Sequence, residues 1–186
     1  MIPHMSTLTT KVTPAELLAM PDAHSTELVN GELVEKEVSR GSSRIGGRIV
    51  KLLANVADAA DEAEVYPNDL GYQCFPDDPD RVRKPDVSLI RKERLTAVEP
   101  DPGFMPIPAD LAVEVVSPKD RVADLMRKVD EYLAAGFGLI WVVYPESRRV
   151  QVWRADGSTL MLRADDELSG EAALPAFRCK VADLFA

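Results

Sequence analysis

Two apolar runs of strand length, at residues 111–116 and 139–144, constrain this chain most. Each is nearly continuous, as expected of strands covered on both faces. Between them, residues 121–135 repeat Val122, Leu125, Met126, Val129 and Leu133 at helical spacing, and Gly136 supplies a stop. A second amphipathic helix is expected over residues 42–63, with Ile45, Ile49, Leu52, Leu53, Val56 and Ala60 on one face. Thr13-Pro14-Ala15-Glu16 reads as a capped helix start. Asn30-Gly31 sits between alternating segments 25–29 and 32–38, a hairpin signal. Residues 65–75 and 87–90 read as strands, and residues 96–108, with four prolines, as a loop. Asp156-Gly157 joins a second hairpin, 150–153 with 159–162, and residues 177–185 close the core as a strand or turn. The order predicts an α/β (α+β) fold: a central mixed sheet flanked by helices, with added N- and C-terminal hairpins. All 186 residues are expected to form one domain, with residues 1–12 as a flexible N-terminal tail.

Composition excludes several function classes. The net charge of −9 argues against non-specific coating of nucleic acid or an anionic membrane, though not against a basic cleft on an acidic body. Aromatics at 6% do not suggest a stacking platform for single strands. No segment reaches membrane-span length and the N-terminus lacks an apolar signal core, so the expected location is the cytoplasm. With His4 and His24 as the two histidines, and Cys74 and Cys179 outside any CxxC, neither a Cys/His zinc site nor a His-dependent triad is supported. The cysteines read as reduced structural thiols. Any chemistry must come from Asp, Glu, Lys, Arg, Ser or Tyr.

Glu114 interrupts the run 111–116, and a buried carboxylate needs a compensating charge or metal. Its bland alternative is a rim position or an arginine partner. Asp86 stands at the start of the neighbouring short strand, where a turn role is the alternative. Two carboxylates on adjacent strands would offer hard oxygens to Mg²⁺, with Mn²⁺ as substitute, and such ions orient phosphodiesters and activate water. Asp124, Lys128 and Tyr132 recur at helical spacing on the 121–135 helix, on the side away from its apolar face. Lys128 could reach the attacking water or the developing charge, or simply pair with Asp124. Glu27, before the Asn30-Gly31 turn, could support the metal shell. Residues 36–51 hold five Lys/Arg against one acid, and residues 81–94 hold six against two. Arg40, Arg44, Arg48 and Lys51 form a near-helical stripe, and Arg83 and Lys84 lie just before Asp86. These six are candidate nucleic-acid contacts, with a solvated basic face as the alternative.

Glu27-Leu28-Val29-Asn30-Gly31-Glu32-Leu33, Pro85-Asp86-Val87-Ser88 and Val113-Glu114-Val115-Val116-Ser117-Pro118 together resemble the Uma2 family, described as "putative restriction endonucleases". The resemblance continues through residues 124–132, Gly136 and residues 139–145, and runs from Pro14 to Phe185. It implies the restriction-endonuclease-like fold of the PD-(D/E)xK superfamily. It further implies metal binding by Asp86, Glu114 and the Val115 carbonyl. The superfamily lysine position holds Val116, and the family pattern points instead to Lys128 on the following helix. The family's histidine near the start of the long helix is absent, and Gly41-Ser42-Ser43-Arg44 stands there.

Three functions follow as expectations. The first is a Mg²⁺-dependent DNA endonuclease, acting as a homodimer without an organic cofactor, with Asp86, Glu114, Lys128 and Glu27 as its catalytic set. Asp124 and Tyr132 would support it. The alternative is an inactive nuclease-fold module that binds protein or nucleic acid. A phosphodiesterase acting on RNA or small nucleotides is a third, weaker option.

Overall fold

The computed structural model describes residues 11–21, 23–36, 39–99 and 103–186. Helix α1 (Pro14–Ala19) begins with the expected capping box, in which Thr13 and Glu16 satisfy each other's backbone N–H groups. A short 3₁₀ turn (Ala23–Ser25) leads into the hairpin of β1 (Thr26–Val29) and β2 (Glu32–Glu35). Asn30 and Gly31 both have positive φ, at 54° and 81°, which lets two residues reverse the chain. The expected second strand extended to residue 38, but positions 37 and 38 lie outside the described residues, as do residues 1–10 of the expected tail.

Helix α2 (Arg40–Ala60) precedes β3 (Ala63–Pro67). The strand expected over 65–75 therefore starts earlier and stops at Pro67. Beyond it, Tyr72 pairs with Arg83 and Met105 through isolated bridges rather than a ladder. Strand β4 (Val87–Arg91) runs into a one-turn helix, α3 (Lys92–Leu95), ahead of the proline-rich loop. Then come β5 (Leu111–Val115), α4 (Val122–Ala135), β6 (Leu139–Tyr144), β7 (Arg149–Arg154) and β8 (Thr159–Leu162). The C-terminus adds β9 (Glu167–Gly170), β10 (Leu174–Lys180) and a 3₁₀ segment (Val181–Phe185). Sequence reasoning did not anticipate β9, whose four residues carry no long alternation.

Strands β3–β8 form one six-stranded sheet in sequence order, antiparallel throughout except where α4 returns the chain to set β5 parallel to β6. The sheet is mixed, as expected. The period-2 alternation of β5 divides it between two cores. Leu111, Val113 and Val115 join Ile45, Ile49 and Leu53 of α2. Ala112 faces the opposite core, with Val129 and Tyr132 of α4.

The apolar face assigned to α4 needs one correction. Val122 is 74% exposed, whereas Glu131 and Tyr132 are buried. The helix turns a mixed side inward because the sheet face it covers carries Glu114, and a carboxylate there draws polar partners.

Candidate active site

Asp86 immediately precedes β4. Val87 pairs with Val113 and Ser88 with Ala112 in the antiparallel β4–β5 ladder, which ends at the Val87–Val113 pair, next to Asp86 on one strand and Glu114 on the other. Val87, Leu89, Val113 and Val115 all join the core under α2, so strand alternation turns both Asp86 and Glu114 to the opposite face. The Asp86 N–H donates to the Val113 carbonyl at 2.9 Å, and the Val115 N–H donates to Asp86 Oδ2 at 2.7 Å. The strand end therefore fixes the aspartate against the residue that follows Glu114.

Glu114 is buried in a polar socket. Tyr132 Oη donates to its Oε1 at 2.7 Å and Lys128 Nζ to its Oε2 at 3.2 Å. The four-residue spacing of Lys128 and Tyr132 stacks both over this carboxylate. Burial pushes the Glu114 carboxyl above its ordinary range, against the pull of Lys128 and Lys36. Burial also opposes the Lys128 ammonium, but Glu114 and Glu27 outweigh it and raise its pKa above that of an ordinary lysine.

Glu27 arrives from the N-terminal hairpin. Backbone bonds in both directions between Leu28 and Val82 dock that hairpin on the segment before Asp86. Glu27 Oε1 accepts from the Lys84 N–H at 2.9 Å and lies 3.0 Å from Lys128 Nζ, while Oε2 accepts from Arg83 Nη1 at 2.8 Å. Burial alone would raise its pKa, but Lys128, Arg83, Lys36 and the Lys84 amide together bring it down to about 2. Lys128 thus bridges Glu27 and Glu114.

These groups border a cleft of about 420 Å³, which Glu27, Asp86, Glu114, Val115 and Lys128 all line. Asp124 also lines it, paired with Arg127 at 3.1 Å rather than with Lys128. Tyr132 is buried beneath it.

The six basic candidates divide. Arg83 and Lys84 are 5% and 4% exposed, which does not suit residues expected to meet a nucleic-acid backbone. Arg83 donates to Glu131 Oε2 at 2.7 Å as well as to Glu27, and Lys84 Nζ donates to the Ala23 carbonyl at 2.6 Å. Both are tied to groups of the protein, although Arg83 also lines the cleft. Arg40, Arg44 and Lys51 are exposed on α2, and none of the four α2 bases lines the cleft. Arg44 and Arg48 donate to the carbonyls of Phe185 and Asp183 in the C-terminal 3₁₀ segment.

Two site residues escaped the sequence reading. Lys36 Nζ lies 2.8 Å from Asp86 Oδ1, and Glu131 anchors Arg83. Lys36 stood in the basic count for residues 36–51 but no spacing tied it to Asp86, fifty positions away.

Hard oxygen donors meet at this cleft, although no ready-made group of three or more metal-ligating side chains occurs among the described residues. Two adjacent carboxylates suit Mg²⁺, which commonly keeps several waters and takes one or two carboxylates plus substrate phosphate. The donor set fits such an ion.

The sequence model of the Uma2 family, described as "Putative restriction endonuclease", matches residues 14–182. A crystal structure from Anabaena variabilis, described as "a putative nuclease belonging to DUF820", has a similar fold at a TM-score of 0.79. It is 21% identical, over 94% of this chain and 97% of that one. No curated protein matches the chain.

Proposed function

The chain belongs to the Uma2 family, and on that premise we propose that it is a metal-dependent nuclease hydrolysing DNA phosphodiester bonds at the Asp86–Glu114 cleft. The observation that carries this reading is that two carboxylates from neighbouring strands line one cleft, beside a buried lysine. Asp86, Glu114 and the Val115 carbonyl would hold Mg²⁺, or Mn²⁺ in its place. When bound, the ion supplies Lewis-acid polarisation of the phosphate and a lowered pKa for water.

The chain's own residues do the rest. Val115 fixes Asp86 through its N–H, and Tyr132 and Lys128 fix Glu114. Lys128 acts as a held positive charge and not as a proton acceptor, because two carboxylates stabilise its ammonium. Glu27 acts through Lys128 and Arg83 as a positioning residue. Arg83 and Lys84 serve as internal counter-charges, and Arg40, Arg44, Arg48 and Lys51 would meet the DNA backbone outside the cleft. Cutting both strands of a duplex usually takes two such sites, so the active form is proposed to be a homodimer.

A second reading, a nuclease-fold module that binds without cutting, is favoured by one observation. Both oxygens of Asp86 and of Glu114 already have donors within the protein. Incubation with supercoiled plasmid and Mg²⁺ separates the two. The nuclease reading predicts nicking that EDTA abolishes and that Asp86→Asn and Glu114→Gln reduce about a hundredfold or more. Nicking that survives in both variants overturns the assignment of the site. DNA binding without nicking, on DNA and RNA alike, favours the module.

A further inference from the structure

Lys36 follows the last residue of β2, and its side chain is 9% exposed although it borders the cleft. Its ammonium donates to the Lys84 carbonyl and to Asp86 Oδ1, the latter at 2.8 Å. The two Asp86 oxygens are not equivalent. Oδ2 is held by a backbone N–H of the sheet, at Val115. A flexible side chain holds Oδ1, and this is the oxygen that can change partner without moving a strand.

A divalent ion on Asp86 and Lys36 on Asp86 need the same oxygen and the same space. We infer that Lys36 is a tethered counter-cation that occupies Asp86 Oδ1 in the metal-free protein and must swing away before a divalent ion takes that oxygen. The inference rests on the metal-site reading above. It gives Lys36 a different task from Lys128. Lys128 contacts two buried carboxylates at once, whereas Lys36 contacts one carboxylate and one carbonyl. Lys36 also lines the open cleft, so rotation of its long side chain can carry the ammonium off Asp86 into that space. The exchange replaces one positive charge by two beside Asp86. The displaced ammonium then faces the cleft, where a phosphate would accept it. Metal without a phosphate should therefore bind weakly, and the two should bind cooperatively.

Calorimetric Mn²⁺ titration of the wild type, Lys36→Met and the double variant Lys36→Met/Asp86→Asn tests this directly. Removing a charged hydrogen-bonding competitor should tighten Mn²⁺ binding by about ten- to a hundredfold, and the Asp86→Asn change should remove the gain. Should the methionine variant fail to fold, Lys36→Gln keeps a donor for the Lys84 carbonyl without the charge and gives the same comparison. Equal affinities in wild type and the Lys36 variant, with binding still dependent on Asp86, overturn the role of Lys36 and leave the metal site standing. Absence of Mn²⁺ binding in both overturns the two readings together.

Discussion

Tyr132 donates its phenol to Glu114 Oε1 at 2.7 Å from within the core, where the phenol has no access to water. Tyr132→Phe removes the donor and leaves a buried carboxylate oxygen short of one partner. The variant should lose about 1–3 kcal/mol of stability. The loss should be smaller at acid pH, where a protonated Glu114 asks less of its neighbours. Chemical denaturation at two pH values measures both effects.

Glu27 supplies a pH dependence of defined sign. Its pKa in the folded protein is brought from the ordinary 4.5 to about 2. A depressed carboxyl contributes stability that is fully present above its unfolded value and lost as the pH falls through its folded one. That contribution is on the order of 3 kcal/mol, from the size of the shift. Glu27→Gln should therefore unfold more readily than the wild type at neutral pH, and the gap should narrow between about pH 4.5 and pH 2. A gap constant across that window would contradict the assignment.

Arg83 spans Glu27 and Glu131, at 2.8 and 2.7 Å. Arg83→Met takes one charged partner from each of two buried carboxylates and should cost about 3–5 kcal/mol, measured as a fall in unfolding free energy. A weakening of DNA binding with unchanged stability would instead return Arg83 to a role in direct backbone contact.

The exposed bases of α2 should behave in the opposite way. Arg40→Ala and Lys51→Ala should shift stability by no more than about 0.5 kcal/mol. If they meet phosphates, each should lower the salt slope of DNA binding by about one.

The middle of the sheet was legible because β5 and β6 are written as nearly continuous apolar runs, and the two long helices because their periods persist over several turns. Glu114 stood out as the one acid inside such a run. Its partners were only half legible. The spacing of Lys128 and Tyr132 put them on one side of α4, but apolar count alone turned that side outward. The socket around Glu114 turned it in and left Val122 exposed. Arg83 and Lys84 read as surface charge because sequence shows their number and not the docking of Leu28 on Val82 that buries them. Lys36 was invisible for the same reason: the hairpin that delivers it to Asp86 is placed by tertiary contacts.

The central claim is that Asp86 and Glu114 together hold one divalent ion. Titration of Mn²⁺ followed by electron paramagnetic resonance, in the presence of a short duplex, tests it on the wild type, Asp86→Asn and Glu114→Gln. The account predicts a bound-ion signal in the wild type that is weakened about tenfold or more in affinity by either substitution. An unchanged signal in both variants would contradict it and move the metal, and the chemistry with it, elsewhere on the protein.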